Sequence, residues 1–386
     1  MLSAEVQAEL IAFTQDVIRA YSLSGKEDQV AGVITQKMHN LKYDKVEVDA
    51  YGSVIGYRQG AHPGPTILFD SHMDVVPITN TDEWLHNPLA AEIADGKIWG
   101  RGASDMKGSL AACVVSLGRL SADQFNGTLV VSTTVGEEIH EGIALSKVIE
   151  HVHPDFVVIC EPNGCCLGIG QKGRAGITIN VMGKPAHSSV PHLGDNAMYK
   201  AVEIIQRLRR MALPKDPILG DGIMELIDGI STPYPSQSTL PVKFSMRYDR
   251  RLMQGETLES VRQSVNEALE GIDDWSMVFP DVEIHTYTNQ VLKDVDFHPG
   301  WLINRESPWI KKAARGLNKA GIEPQYTTAR FCTNGSFSAG VMGIPTMIFG
   351  PSSGMLAHCI NEHIEINELI QGANGYTSLA SELTGD

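Results

Sequence analysis

Apolar residues recur along the chain with two different spacings, and each spacing predicts a different kind of element. Near the N-terminus they recur every three or four residues, from Val6 to Tyr21, which predicts an amphipathic helix. A second helix is expected after Ser24, because Ser24 and Glu27 have the spacing of an N-terminal capping box. Four later segments are short, almost continuously apolar and bounded by Gly, Pro or Asp, as buried strands are. These predicted strands cover residues 66–69, 128–135, 156–160 and 345–349.

The order of the predicted elements indicates two domains. Helices predicted at 107–120 and 143–152 alternate with the strands, which is typical of an α/β sheet covered by helices. In the middle of the chain the order becomes strand, helix, two strands, helix and strand, the ferredoxin-like βαββαβ pattern. Its six segments are 177–182, 196–211, 223–230, 242–248, 257–269 and 282–287. We therefore expect a mixed or mainly parallel α/β sheet from residues 1–175 and 296–386, with residues 176–295 inserted as a ferredoxin-like domain.

The composition restricts the partners and the compartment. The chain has 46 acidic and 31 basic residues and a net charge of −15, which disfavours nucleic acid and anionic membranes as partners. No apolar stretch approaches the ~18 residues of a membrane span, and acidic residues interrupt the segment where a signal peptide would be apolar. The six cysteines form no CxxC pair and lie mostly in apolar segments, as reduced thiols do. We expect a cytoplasmic protein with neither a membrane nor a nucleic-acid partner.

Acidic residues and histidines follow the predicted strands at the point where each strand ends, which is where open α/β sheets bind ligands. Any one of them alone is more simply a solvated or hydrogen-bonded side chain. Together they would repel one another without a cation, and two histidines with several carboxylates suit two divalent ions bridged by a carboxylate. The residues are His72 and Asp74, Glu137 and Glu138, Glu161 and His358, joined by Asp105 from a glycine-rich loop.

Ordered motifs surround these residues nearly from end to end of the chain. They read SHMDVVP at 71–77, GRGASDMKG at 100–108, GEE at 136–138, EP at 161–162, GKPAHSS at 183–189 and IPT at 344–346. In this set the chain resembles the co-catalytic di-zinc metallohydrolases and metallopeptidases. That family includes acetylornithine deacetylase, succinyl-diaminopimelate desuccinylase, aminoacylase and glutamate carboxypeptidase.

The resemblance implies two divalent metal ions as cofactors. His72 and Glu161 would hold one ion, Glu138 and His358 the other, and Asp105 would bridge the two. Zinc is the first expectation, although cobalt and manganese also accept these ligands. The larger domain is then expected to be of the zinc-peptidase type, and the inserted domain to act as a lid and dimerisation domain.

Two further carboxylates acquire catalytic roles from the same resemblance. Asp74, two residues after His72, would fix the tautomer of that imidazole. Glu137 would act as the general base for a metal-bridged hydroxide that attacks the scissile carbonyl. The implied reaction is hydrolysis of an N-acyl or N-carbamoyl amide bond in an amino-acid-like substrate with a free carboxylate.

Contacts with the substrate are predicted from the inserted domain and from one later loop. His187 resembles the residue that family dimers extend into the partner's site to stabilise the oxyanion, so a homodimer through the inserted domain is expected. The alternative for His187 is a histidine of a surface loop. Arg251 matches a position proposed to bind a substrate carboxylate, and a solvated arginine at a strand edge fits nearly as well. Backbone amides around Asn334 and Gly335 could also bind a carboxylate.

Three readings of the function stay open at this point. Hydrolysis of an N-acyl or N-carbamoyl amino acid leads, and a dipeptidase or carboxypeptidase would use the same metal chemistry on a peptide bond. A non-catalytic metal-binding protein on the same scaffold is disfavoured, because it would have no reason to keep five ligands and the base. The segment at 331–336 and the Tyr234-Pro235 pair look closer to a hydrolase branch linked to selenium-dependent metabolism.

Overall fold

The computed structural model describes residues 1–385, which divide into two compact units. The larger unit comprises Met1–Gln171, Glu283–Lys293 and the chain from Leu302 onward, and the smaller comprises Lys172–Val282 and Asp294–Trp301. The α-helices of the described chain are α1 (Ala4–Arg19), α2 (Asp28–Asn40), α3 (Gly108–Gly118), α4 (Ile143–Val152), α5 (Ala197–Arg209), α6 (Leu258–Ala268), α7 (Pro308–Lys319) and α8 (Ile366–Thr384).

The strands of the described chain alternate with these helices, as the sequence predicts. In chain order they are β1 (Lys45–Val48), β2 (Val54–Gln59), β3 (Thr66–His72), β4 (Glu92–Ala94), β5 (Lys97–Trp99), β6 (Thr128–Thr134), β7 (Phe156–Ile159), β8 (Leu167–Gln171), β9 (Gly173–Met182), β10 (Lys215–Asp216), β11 (Gly220–Asp221), β12 (Ile223–Thr232), β13 (Lys243–Leu252), β14 (Trp275–Val278), β15 (Asp281–His285), β16 (Val291–Val295), β17 (Phe297–His298), β18 (Trp301–Leu302), β19 (Tyr326–Ala329), β20 (Thr346–Ile348) and β21 (His363–Glu365). All four predicted strands of the larger domain are present, and no end differs from the prediction by more than three residues.

The larger unit is built on a mixed sheet with the strand order β1-β2-β6-β3-β7-β20-β8, and β19 also pairs with β8. The central strands β6, β3, β7 and β20 are parallel to one another, whereas β2 is antiparallel to both β1 and β6, and β20 is antiparallel to β8. Parallel neighbours end at the same edge, so the loops after β3, β6, β7 and β20 start beside one another. This sheet confirms the predicted α/β fold class.

The core of the larger unit explains why its central strands are apolar throughout. Ile67, Leu68 and Phe69 of β3 are fully buried, as expected of a strand covered on both faces. Helix α3 is buried along its whole length and packs against β3, β6, α1 and α8. A helix that is apolar all round belongs in the interior, and α3 accordingly fixes the end of the glycine-rich loop that precedes it.

The smaller unit has an antiparallel sheet in the order β12-β13-β9-β14, with β17 also beside β9. Alternate residues of β9, among them Ile177 and Ile179, are buried in one cluster with Ile204 of α5 and Val261 of α6. Two helices on one face of an antiparallel sheet agree with the predicted ferredoxin-like pattern. Its role as a lid and dimerisation domain stays a prediction.

Two local predictions are wrong. Helix α2 begins at Asp28, with no side-chain cap, so Ser24 and Glu27 do not form a capping box. The strand that closes the small sheet is β14, whereas β15, which overlaps the predicted strand at 282–287, pairs with β16. Both errors concern the choice of partner, which tertiary packing decides and a local pattern does not contain. Among residues 1–385, no helix is both long and apolar enough to cross a lipid bilayer.

Candidate metal centre

The residues that follow the central strands converge on one edge of the large sheet. His72 ends β3 and lies beside Thr134, the last residue of β6, while Asp70 lies beside Ile159 at the end of β7. Glu137 and Glu138 follow β6 after Val135 and a glycine, and Glu161 follows β7. The parallel register of three apolar strands therefore brings their polar ends together.

One cluster of potential ligands consists of His72, Asp105 and Glu161. The Nε2 atom of His72 is 3.1 Å from Oδ1 of Asp105 and 3.6 Å from Oε1 of Glu161. All three side chains are buried or nearly so. Asp105 reaches this position from the π-helical turn Ala103–Lys107, whose backbone departs from helical geometry at Asp105 itself.

A second cluster consists of Asp105, Glu138 and His358. The Nε2 atom of His358 is 2.9 Å from Oε2 of Glu138 and 3.5 Å from Oδ2 of Asp105. Asp105 therefore turns one carboxylate oxygen to each cluster, the arrangement of a carboxylate that bridges two ions. The structure brings the five predicted ligands together in the two groups that the family resemblance implies.

The electrostatics of the site show that it suits cations. Burial, together with the neighbouring carboxylates, raises the pKa of Glu138 and holds the pKa of Glu161 well above its ordinary value. Oε1 of Glu138 is buried and has no hydrogen-bond partner among the described residues. The pKa of His72 is raised despite its burial, because Glu137, Asp105, Asp74 and Glu161 surround it. Imidazole nitrogens and carboxylate oxygens in this proportion fit two divalent ions such as zinc.

Asp74 connects the histidine to the loop that follows β6. Its Oδ1 accepts a hydrogen bond from the Glu137 amide at 3.1 Å, and its Oδ2 accepts from the Glu138 amide at 3.1 Å and from the Ser24 hydroxyl at 2.6 Å. Burial would raise the pKa of Asp74, but His72, the Ser24 hydroxyl and these contacts lower it below its usual range. The Nδ1 atom of His72 lies 3.0 Å from the Asp74 carbonyl oxygen, an acceptor that directs Nε2 toward the clusters.

Glu137 lies beside the first cluster and belongs to neither of the two. Its Oε2 lies 3.8 Å from Nε2 of His72, and the side chain is almost fully buried. Burial raises the pKa of Glu137 well above its ordinary value, and the nearby Glu161, Glu141 and Glu138 raise it further, while His72 opposes them. A carboxylate with a raised pKa beside a metal site can accept a proton and return it.

Glu362, which no sequence pattern indicates as a site residue, fixes the loop of Asp105. Its Oε1 accepts hydrogen bonds from the amides of Ser104 at 2.9 Å and Asp105 at 3.0 Å, and its Oε2 pairs with Arg101. Burial raises the pKa of Glu362 to about 7. Its position four residues after His358 is a possible signal, but no local pattern links it to Ser104.

The residues predicted to contact the substrate lie outside the two ligand clusters. Arg251 is partly exposed, and its Nε lies 2.8 Å from Oδ1 of Asp249. His187 is exposed, and its Nδ1 lies 2.7 Å from the Ser189 hydroxyl. Both belong to the smaller unit, and their roles stay predictions. The Gly335 amide, in the larger unit, donates to the Thr333 hydroxyl at 3.0 Å.

Asn334 is buried, and its amide already has partners within the larger unit. Its Nδ2 donates to Oδ2 of Asp70 at 2.8 Å and to the Thr134 hydroxyl at 3.1 Å, and its Oδ1 accepts from the Gly142 amide at 2.6 Å. The side chain therefore joins the ends of β3 and β6 to the start of α4. A contact between this side chain and a substrate would require one of these bonds to open.

Replacing Asn334 by Ala is expected to lower the free energy of unfolding by about 3 kcal/mol, because the Asp70 carboxylate, the Thr134 hydroxyl and the Gly142 amide each lose one buried hydrogen bond. Urea unfolding of the metal-loaded protein measures this loss. Asn40→Ala, at the exposed C-terminal end of α2, is the control and should change stability by less than about 0.5 kcal/mol. A stable Asn334→Ala protein with a raised KM would instead indicate a substrate contact.

Comparisons with known proteins agree with this geometry. A protein of Escherichia coli strain K12, described as uncharacterized protein YgeY, is 32% identical over 388 residues, which cover 97% of this chain and 94% of that protein. A succinyl-diaminopimelate desuccinylase of Hahella chejuensis is 25% identical over 385 residues, with 95% of each chain covered. The Bacillus subtilis YxeP structure, described as a dinuclear metal-binding peptidase from family M20, has a TM-score of 0.73 at 14% identity and 98% coverage of both chains.

A family model gives the assignment directly. The model described as peptidase family M20/M25/M40 matches residues 68–382, a range that contains both ligand clusters and Glu137. The resemblance inferred from the motifs is thereby confirmed. The chain belongs to peptidase family M20/M25/M40, a family of hydrolases of amide bonds.

Proposed function

We propose that the protein is a two-metal, most simply zinc-dependent, amide hydrolase that removes an acyl or carbamoyl group from an amino-acid-like substrate with a free carboxylate. The observation that supports it most is the pair of ligand clusters that share Asp105, with Glu137 beside them and outside both. A deacylating activity is further supported by the relative that is a desuccinylase.

His72 and Glu161 would hold one ion, Glu138 and His358 the other, and Asp105 would contribute one oxygen to each. Two divalent ions, when bound there, polarise the scissile carbonyl and lower the pKa of a water molecule. Cobalt and manganese are accepted by the same ligands, so the ion found in the isolated protein will depend on supply.

The side chains of the protein provide the proton transfers. Glu137 accepts a proton from the attacking water as the new C–O bond forms, and returns it to the departing nitrogen as the C–N bond breaks. Its position beside His72 and outside both clusters leaves the carboxylate free to hold the proton between the two steps. Asp74 keeps the His72 ring in one orientation throughout, since its carbonyl oxygen lies 3.0 Å from Nδ1.

The substrate end of the proposal rests on the smaller unit. Arg251 would bind the substrate carboxylate through its guanidinium, after exchanging its contact with Asp249 for one with the substrate. His187 would donate to the developing oxyanion in the site of a second protomer. Its exposure and its position in the loop after β9 leave the ring accessible to such a partner.

Hydrolysis of a substrate panel tests the proposal. Zinc-loaded enzyme is incubated with N-acetyl, N-succinyl and N-carbamoyl amino acids, with the same compounds blocked as C-terminal amides, and with dipeptides. We expect turnover of one N-acyl or N-carbamoyl class and loss of that turnover when the carboxylate is blocked. Preference for dipeptides would support the peptidase alternative. The likeness to the Bacillus subtilis structure that is described as a peptidase is the observation in favour of that alternative. Metal binding without any turnover would support a non-catalytic binding protein.

A homodimer through the smaller unit is also proposed. Strand β12 is an edge strand, and Ile223, Ile227 and Ile230 on it are exposed, as is Tyr199 on α5, which packs beside β12. An edge strand with exposed apolar side chains is a surface on which a second copy can add its own β12 about a twofold axis. The cytoplasmic location stays a prediction.

Replacing Ile227 by Lys is expected to convert the dimer into a monomer at micromolar concentration, because the twofold axis would bring two like charges together. Light scattering measures the mass. Val278→Lys is the matched control, since Val278 is exposed on β14 at the opposite side of the same sheet. A wild-type protein that is monomeric under these conditions would remove the role of His187 in a partner's site.

A further inference from the structure

Two residues of the loop between α1 and α2 contact the loops of the metal centre. The hydroxyl of Ser24 donates to Oδ2 of Asp74 at 2.6 Å. Oε1 of Glu27, which is fully buried, accepts from the amide of Gly136 at 3.2 Å and from the amide of Gly25 at 2.9 Å. Neither side chain belongs to a ligand cluster, and the mechanism proposed above uses neither.

These contacts fix the backbone of residues 136–138, which includes the proposed general base Glu137. Three successive amides, of Gly136, Glu137 and Glu138, donate to carboxylate oxygens of Glu27 or Asp74. Asp74 in turn receives the Ser24 hydroxyl. The backbone around Glu137 is therefore held by two buried carboxylates. Glu27 belongs to the α1–α2 loop, and Asp74 accepts a hydrogen bond from Ser24 of the same loop.

The α1–α2 loop is itself attached to the strand end that carries His72. The amide of Val75 donates to the Ser22 carbonyl at 2.9 Å, and Leu23 forms a parallel bridge with Val75. Gly25 has a φ of +81°, and a Cβ there would lie 2.6 Å from the His285 carbonyl oxygen. Close packing and a left-handed backbone at Gly25 thus fix the turn that presents Ser24 and Glu27.

We propose that Ser24 and Glu27 are positioning residues for Glu137 and that they act through Asp74 and through the Gly136 amide. This inference rests on the proposed function for the role of Glu137 as general base. Loss of either contact would let the loop of Glu137 move relative to the ligands. Because Ser24 and Glu27 belong to neither ligand cluster, we expect the loss to appear in kcat and not in KM.

Four variants test the inference against a structural control. Ser24→Ala and Glu27→Ala remove the contacts, and Ser24→Thr and Glu27→Gln retain a hydroxyl and an acceptor oxygen in the same places. Ser3→Ala is the control, since Ser3 caps α1 through the Val6 amide at 3.4 Å, far along the chain from the metal ligands. We expect kcat to fall about 10- to 100-fold in the two alanine variants, with KM within about threefold of wild type. Ser24→Thr and Glu27→Gln should recover most of that loss.

Amide hydrogen exchange gives a readout that does not depend on activity. In peptides that cover residues 135–139, exchange should become faster in Ser24→Ala and Glu27→Ala and stay unchanged in Ser3→Ala. If no substrate is turned over by the wild type but exchange responds in this way, the proposed function fails and the positioning contacts stand. Wild-type kcat with unchanged exchange would overturn the inference, and so would a loss of thermal stability alone. Should Glu27→Ala not fold, Ser24→Ala and Glu27→Gln still decide the outcome.

Discussion

Replacing Glu137 by Gln is expected to reduce kcat by about 10²- to 10⁴-fold while KM and metal content stay close to the wild-type values. Glutamine keeps the shape of the side chain but cannot accept the proton of the attacking water. Glu137 is outside both ligand clusters, with its Oε2 3.8 Å from Nε2 of His72, so the ions should stay in place. Steady-state kinetics on the substrate found in the panel and elemental analysis of the purified variant measure the two effects.

The neighbouring residue provides a matched control for this variant. Glu138 has the same side chain on the same loop, but its Oε2 lies 2.9 Å from Nε2 of His358, within the second cluster. Glu138→Gln is therefore expected to lose one ion and activity together. A Glu137→Gln enzyme with wild-type kcat would contradict the assignment of the base, and one that loses an ion would contradict the division of roles between the two glutamates.

Removal of the metal ions is expected to lower the melting temperature, and by more at pH 8 than at pH 5. Burial raises the pKa of Glu27, Asp70 and Glu362 to about 7 in each case. Between the ordinary carboxyl pKa, near 4, and about 7, the folded chain therefore holds protons that the unfolded chain has released. By linkage, the free energy of unfolding of the metal-free protein falls as pH rises through this window, whereas bound cations would lower these pKa values and so reduce the loss in the metal-loaded protein.

Two further effects act in the same direction. The raised pKa of His72 gives stability that is present below about 6.5, its unfolded value, and is lost as pH rises through the folded value. Metal binding strengthens with pH, because the ligands must be deprotonated to bind. At a free metal concentration 100 times Kd, each site would add about 2.7 kcal/mol to the folded state.

Scanning calorimetry of metal-loaded and chelator-dialysed protein at pH 5, 6, 7 and 8 measures this difference at one scan rate. The gap between the two melting temperatures should widen with each step in pH. Glu362→Gln gives a control within the metal-free series. It removes one of the three carboxyl groups with a raised pKa, so the melting temperature of this variant should depend less on pH. A gap that stays constant or narrows as pH rises would contradict the electrostatic account of the site.

The site could be predicted from the sequence because its ligands follow strands that are recognisable as buried. Ile67, Leu68 and Phe69 have no exposed surface, and His72 ends the same strand. Once such strands are parallel, their ends must meet, so the convergence of His72, Glu138 and Glu161 follows from the alternation of strand and helix. Helix α4 was likewise predicted at 143–152, the residues at which it is found.

The residues that support the site were not predictable in this way, because their partners are distant in the chain. Ser24 and Asp74 are 50 residues apart, and Glu362 is 257 residues from Asp105, whose amide donates a hydrogen bond to it. The spacing of Ser24 and Glu27 fits a helix cap as well as it fits two separate tertiary contacts. Only the packed structure distinguishes the cap from the tertiary contacts. The choice between β14 and β15 as the strand that pairs with β9 likewise depends on tertiary packing.

Asn334 illustrates a related limit. A polar residue in a loop that also contains Gly335 suggests a surface for a ligand, and nothing local indicates burial. The partners of its side chain lie between 192 and 264 residues away, at Gly142, Thr134 and Asp70. The burial of the Asn334 amide therefore depends on where the ends of β3 and β6 lie, which the local sequence does not contain.

The number of ions bound per chain tests the central claim most directly. Metal-free protein is equilibrated by dialysis against a series of zinc concentrations, and the bound zinc is measured by elemental analysis for wild type and Asp105→Ala. Because Asp105 offers one oxygen to each cluster, we predict two ions per chain at saturation in the wild type and weakened binding at both sites in Asp105→Ala. A single ion in the wild type, or two ions bound equally well without the Asp105 carboxylate, would contradict the account.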